Sequence, residues 1–285
     1  MNFSEKPLVF DCLGEKLLGI VALPETPQRT GVLIVVGGPQ YRAGSHRQFL
    51  LLSRTLAAAG YPAMRFDYRG MGDSGGELRN FEAVDGDIAA AIDAFMAASP
   101  GLEQVVLWGL CDAASASLLY LHAHKDERLG GLVLLNPWVR SEATLARAHI
   151  RHYYAQRLLQ LEFWRKLLSG KLGIWRAVGG FLGAVHQARQ PSSEGAPQGL
   201  SPYQERMLRG LSGFREATLV ILSGNDYTAK EFIDSTRASP AWTAALSAGN
   251  VAVEEVQDAD HTFSSVDWRA QVERLTLEWL AKITN

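Results

Sequence analysis

The sequence predicts an α/β fold: a mostly parallel, doubly wound sheet with a helical cap inserted between two of its strands. Three observations carry this. Short apolar runs that end on Gly, Asp or Asn recur along the chain, helical patterns lie between them, and the alternation stops near residue 139 and resumes near residue 213. The opening stretch, Leu8 to Ala22, has Gly14 in its middle and reads as an antiparallel hairpin of edge strands. Val32 to Val36, Ala63 to Phe66, Val105 to Trp108, Leu132 to Leu135 and Leu219 to Leu222 are near-continuous apolar runs. Such runs suit strands covered on both faces, as in a parallel sheet. Between and after them, Phe49 to Ala59, Val84 to Ala97 and Gln271 to Ile283 place apolar residues three and four apart, the helical period. Strands alternating with helices imply parallel βαβ units and a doubly wound sheet. The expected organisation is a core of residues 1–138 and 213–285 with a cap of residues 139–212.

Composition narrows the function classes. The chain has 285 residues and a formal net charge of −2, so overall charge gives no reason to expect a nucleic-acid partner. It has two cysteines, Cys12 and Cys111, which argues against a disulfide scaffold and for a reducing, cytoplasmic setting. No run of about 18 apolar residues offers a membrane span. No metal-ligand or dinucleotide motif is present, so no cofactor is expected; the glycines from Gly70 to Gly75 do not lead into a convincing helix start. Charge is unevenly spread. Residues 139–212 carry eleven Lys and Arg against four Glu, a net +7, which leaves −9 for the remainder. Trp164 and Trp175 lie among Arg165, Lys166 and Lys171, and Gln190 to Gln198, rich in Pro, Ser and Gly, is expected to be a mobile loop. One reading makes this cap an attractor for an anionic partner: a carrier-bound or CoA acyl group, an anionic saccharide or an acidic membrane surface. The other makes the charges a solvated face and the aromatics packing.

The chemistry is concentrated at Val105-Val106-Leu107-Trp108-Gly109-Leu110-Cys111-Asp112-Ala113-Ala114-Ser115. An apolar strand runs into a small residue, a spacer, Cys111, a spacer and another small residue, and a helical pattern follows. That is a nucleophile elbow with Cys in the nucleophile position and Ala113 where a second Gly often stands. Bulk at Gly109 or Ala113 would collide with neighbouring strands. A helix N-terminus behind Cys111 favours a thiolate, while the Asp112 carboxylate opposes it. The bland alternative is a structural cysteine packed as a small hydrophobe. Two further turns supply partners. Leu219 to Leu222 leads into Ser223-Gly224-Asn225-Asp226, and Asp258-Ala259-Asp260-His261 forms a short loop before the last helix. His261 fits a general base and Asp226 the acid that fixes its tautomer. Asp226 also fits a plain Asx turn, and Asp234 and Asp258 are weaker rivals for the acid. In Val36-Gly37-Gly38-Pro39-Gln40, Gly38 can approach a substrate oxygen and Pro39 has no N–H, so the backbone N–H groups of Gly38 and Asp112 are the expected oxyanion donors. Gln40, Arg42 and His46 follow in the same loop. They are candidates for binding substrate, with a surface role for Arg42 and His46 held equally open.

Asp67-Tyr68-Arg69-Gly70-Met71-Gly72-Asp73-Ser74 is similar to the D-x-R-G-x-G-x-S stretch of many α/β-hydrolases. With the elbow, the Asp226 turn and the His261 loop, the resemblance to that superfamily spans nearly the whole chain and implies the α/β-hydrolase fold. Residues 37–49 together with Gly109 to Ser115 resemble the exosortase A system-associated hydrolase 1 family, bacterial proteins encoded beside exosortase and exopolysaccharide genes. That resemblance implies a hydrolase. Two departures stand out: Val36 replaces the usual His before the oxyanion-loop glycine, and the nucleophile is Cys rather than Ser, as also occurs in dienelactone-hydrolase-like enzymes. The expected activity is hydrolysis of a small-molecule or carrier-bound ester or thioester through an acyl-cysteine. Acyl transfer by the same residues and a non-catalytic binding scaffold are the alternatives.

Overall fold

Eight strands form one sheet in the order β1-β2-β4-β3-β5-β6-β7-β8. The computed structural model describes residues 2–37, 40–139 and 202–284. β1 (Phe3–Cys12) and β2 (Glu15–Pro24) form the antiparallel hairpin, longer than expected and turning through Leu13 and Gly14, both at positive φ. Two successive left-handed residues match the twist of a tight hairpin. β2 runs antiparallel to β4 (Ala63–Phe66), and from β4 onward all neighbours are parallel: β3 (Thr30–Val35), β5 (Gln104–Leu110), β6 (Leu129–Leu135), β7 (Ala217–Ser223) and β8 (Val251–Val256).

The four central strands β3, β5, β6 and β7 are buried along almost their whole length, which is why they read as unbroken apolar runs. Helices α1 (Gln48–Ala58), α2 (Asp85–Ala98) and α3 (Asp112–Ala123) follow β3, β4 and β5. Phe49 of α1 meets Trp108 of β5 edge to face at 5.8 Å, and the indole N–H of Trp108 donates to Thr276 Oγ1. An aromatic pair of this kind contributes about 1 kcal/mol beyond area burial. α4 (Pro202–Gly213) starts with proline at its first position and turns Gln204, Met207 and Leu211 inward. It crosses α3 closely: a Cβ on Gly210 would lie 2.1 Å from the carbonyl oxygen of Leu118. Tyr203 stacks edge-on against Phe81, Arg206 pairs with Glu82, and Gln204 donates to the carbonyl of Val139. Thus residues 202–212, expected within the insertion, pack with the core, and residues 1–139 and 202–285 group as one unit. Residues 140–201, with the basic cap residues Arg165, Lys166 and Lys171, lie outside the described residues.

α5 (Tyr227–Arg237), α6 (Pro240–Leu246) and α7 (Val266–Thr284) complete the core. Every parallel strand delivers its C-terminal end to the same edge of the sheet, so the segments after β3, β4, β5, β6 and β7 gather there. Ligands bind at this edge in open α/β sheets.

Candidate active site

Cys111 stands alone between β5 and α3 with φ 63° and ψ −123°. A non-glycine residue there is strained by about 1–3 kcal/mol and persists only when its surroundings over-determine it. They do. The N–H of Cys111 donates to Leu135 O at 2.8 Å, and its carbonyl accepts from Trp138 N at 3.2 Å and Ala114 N at 3.1 Å. Ser115 Oγ donates to Trp138 O at 2.7 Å, tying the segment after β6 to the elbow. Gly109 is required because a Cβ would lie 2.7 Å from Ala113 C; the obstacle is the first turn of α3, where a neighbouring strand was expected. Cys111 is half-buried, whereas Cys12 is buried at the end of β1 in the edge hairpin.

His261 and Asp226 arrive from the ends of β8 and β7. Asp226 Oδ2 accepts from His261 Nδ1 at 2.9 Å, and Cys111 is near enough to the same ring to raise its affinity for a proton. Asp226 therefore joins the other two predicted residues, while no such bond is made by its rivals Asp234 and Asp258 among the described contacts. The turn-forming alternative holds at the same time. Asp226 is the N-cap of α5, accepting from Thr228 N at 3.2 Å and Ala229 N at 3.0 Å. One carboxylate both starts a helix and orients an imidazole.

The electrostatics follow from this. Burial opposes a charge on His261, but the hydrogen bonds and charges of Asp226 and Cys111 outweigh it and push the imidazolium up to about 10. Burial would raise the Asp226 carboxyl, but His261 and the two backbone donors hold it below its ordinary range. The imidazole is thus held as a proton-bearing partner of Asp226.

Two residues with no motif of their own position this loop. Asn136, just past β6 and fully buried, donates through Nδ2 to Ser223 Oγ at 2.7 Å and to the backbone carbonyl of His261 at 3.2 Å; its Oδ1 accepts from Ser223 N at 2.9 Å. Ser223 Oγ passes on to Asp260 O at 2.9 Å. Asp260 in turn accepts from the backbone N–H groups of Thr262 and Ser264. A polar residue directly after a buried strand is the only sequence signal for Asn136. Asn136→Ala should lower stability by about 2 kcal/mol, since it leaves buried partners unsatisfied, and slow turnover about tenfold by loosening His261. Denaturant melts alongside kinetics check this; unchanged stability and turnover would show that the network is idle.

The remaining predicted residues are distributed as follows. Asp112 opens α3, and at this first helical position its N–H has no intrahelical acceptor. Its side chain lies against Gly37, where a Cβ would come within 2.2 Å of Oδ1. Gly38, the other expected donor, lies outside the described residues. Gln40 accepts from Ser45 N at 3.1 Å and lines a groove of about 690 Å³ with Tyr41, Met71, Asp73 and Leu78. The described lining of that groove includes none of Cys111, Asp226 and His261. Arg42 pairs with Asp67 and Asp73, and His46 is exposed in a short 3-10 turn at φ 53°.

A family model described as serine aminopeptidase, S33, matches residues 28–207. The chain belongs to this S33 family of α/β-fold hydrolases. Its match runs from before β3 through the elbow and so includes Cys111. Among curated proteins, none matches the chain. Solved structures agree on the fold. An esterase of Pyrococcus furiosus is 17% identical with a TM-score of 0.65, over 99% of this chain and 92% of its own. A thermophilic esterase of Thermogutta terrifontis is 18% identical with a TM-score of 0.58, over 98% and 100%. Est1E of Butyrivibrio proteoclasticus, solved with ferulic acid, is 15% identical with a TM-score of 0.60, over 96% and 99%. Among the described residues, no helix of this S33-family chain is long and apolar enough to cross a membrane.

Proposed function

We propose that this S33-family chain hydrolyses an ester or thioester through an acyl-cysteine on Cys111. One observation carries the reading: Cys111 sits at a strained elbow and acts on an imidazole whose Nδ1 is bonded to Asp226. The sulfur attacks the acyl carbonyl carbon as a thiolate while its proton resides on His261. A C–S bond forms, the bond to the leaving group breaks, and the leaving oxygen or sulfur takes the proton from His261 Nε2. Water then gives a proton to the neutral imidazole, its oxygen attacks the thioester carbonyl, and the C–S bond breaks to restore the ion pair. Backbone N–H groups of Asp112 and of the loop after β3 are the donors for the oxyanion at each step. A thiolate in place of the family's serine favours thioester donors in particular, because transfer from one sulfur to another is nearly isoenergetic. The resemblance of residues 37–49 and 109–115 to the exosortase A system-associated hydrolases supports a link to exosortase and exopolysaccharide systems.

The test is intact-protein mass spectrometry after brief exposure to activated esters and thioesters, followed by peptide mapping. We expect one acyl group, on the peptide that contains Cys111, and its loss over time in water. An acyl group on another residue, or none with any donor while turnover proceeds, overturns the mechanism.

A further inference from the structure

We propose that Arg42 is a positioning residue that fixes the loop carrying the oxyanion donor, rather than a binder of substrate anions. The proposal rests on the reading above of the segment after β3 as the oxyanion loop.

The segment is anchored at both ends. At its start, Gly37 lies on the elbow itself: a Cβ there would meet Asp112 Oδ1 at 2.2 Å and Ala113 N and Leu110 O at 2.8 Å. Five residues on, Arg42 is held three ways. Its backbone N–H donates to Asp67 Oδ1 at 2.6 Å, Nη1 donates to Asp67 Oδ2, and Nη2 donates to Asp73 Oδ2 at 2.6 Å. Asp67 directly follows β4, which pairs in parallel with β3, so its carboxylate stands at the same sheet edge as the loop. That carboxylate is fully buried. It also accepts from Asp73 N at 3.1 Å, and the turn from Gly70 to Ser74 closes over it. Gly72, at φ 55°, can have no side chain, because a Cβ would lie 2.2 Å from Asp67 Oδ2. Ser74 Oγ locks the same turn, donating to Asp67 O at 2.8 Å and accepting from Leu18 N at 2.9 Å.

A buried carboxylate needs a paired and hydrogen-bonded cation, and Arg42, 14% exposed at its side chain, supplies it. Two carboxylates already meet the one positive charge of Arg42. That arrangement suits a bidentate brace better than a site for a substrate anion. Gly37 is therefore seated on the elbow, and Arg42 is held by the carboxylate that follows β4. An oxyanion donor acts only when it is pre-placed, and a displacement of about 1 Å is enough to lose most of its effect.

The experiment uses the full chain, with Arg42→Met and Arg42→Lys. Turnover of a neutral activated ester is compared with the rate at which iodoacetamide alkylates Cys111. Alkylation displaces iodide at a tetrahedral carbon and develops no oxyanion, so it reports the Cys111–His261 pair without the loop. We expect Arg42→Met to lower kcat about 10- to 100-fold, with KM within about threefold and alkylation of Cys111 unchanged. Arg42→Lys should recover part of the loss. Since Arg42→Met leaves the Asp67 charge buried and unpaired, a double variant with Asp67→Asn keeps the test sound if the single variant melts early. The double variant should lose kcat to the same extent. Turnover within twofold of wild type in a folded variant overturns the proposal. So does a raised KM confined to anionic esters with kcat kept, which would make Arg42 an anion binder. A parallel fall in turnover and alkylation would instead mean that Arg42 supports the elbow as a whole, and also overturns it. Wild-type turnover in Cys111→Ala would overturn the site reading itself, and the loop proposal with it.

Discussion

Cys111→Ala is expected to remove hydrolysis of activated esters almost entirely, a loss on the order of 10⁶-fold in kcat, while Cys12→Ala leaves turnover near wild type. The contrast follows from placement. Cys111 is half-buried at the strained turn between β5 and α3 and acts on the His261 ring. Cys12 is buried at the end of β1, and burial pushes its thiol up, away from the reactive thiolate. Cys111→Ser should retain little activity. A hydroxyl needs a neutral imidazole to take its proton during attack, whereas the arrangement around His261 favours an imidazolium that has already received one. Steady-state kinetics on a neutral ester, with melting curves for each variant, decide it. Equal activity in Cys111→Ala and wild type would remove the nucleophile assignment, and full activity in the serine variant would show that sulfur is not required.

The legibility of the chain varied with how strongly burial constrains each residue. β3, β5, β6 and β7 are covered on both faces, so their sequences had to be apolar throughout and were readable as strands. β8 escaped notice because it is an edge strand: Glu254 and Glu255 face solvent and Val253 is half exposed, so no buried face imposes a pattern. α5 was hidden for another reason. Its start is marked by Asp226, a residue whose chemistry drew the reading away from its capping role. Cys111 and Asp226 stand out in the sequence because each follows an apolar strand run, and His261 because it lies in a short loop before the last helix. Asn136 and Ser223 were not. They meet across 87 positions, and each alone looks like an ordinary polar residue at a strand end. Arg42 was visible as a charge in the right loop, but only the fold shows that Asp67 and Asp73 receive it. Local pattern reports which residues carry chemistry. Partners that hold them in place are set by topology.

Asp226→Asn should lower turnover by about three to four orders of magnitude with little change in fold. The substitution separates the two roles of this side chain. Asparagine caps a helix about as well as aspartate, so the bonds to Thr228 N and Ala229 N can persist and α5 should stay intact. What is lost is the charge opposite His261 Nδ1. Burial then acts on the imidazole with one fewer opposing partner, and its affinity for a proton falls from the wild-type value of about 10. In wild type, activity that depends on the imidazolium should hold through neutral and mildly alkaline pH and decline as pH passes about 10. In the variant, that alkaline limb should move toward neutrality. Stability gives an independent check with a definite sign. The His261 proton is bound more tightly folded than unfolded, so its contribution is full below the unfolded value of 6.5 and vanishes as pH rises through about 10. Asp226, whose carboxyl is held low, contributes above its unfolded value of 3.8. The gap in melting temperature between wild type and Asp226→Asn should therefore be widest between about pH 4 and 6.5 and close toward pH 10. A gap that does not vary with pH, or a larger catalytic loss in Asp234→Asn, would mean that Asp226 is a helix cap alone.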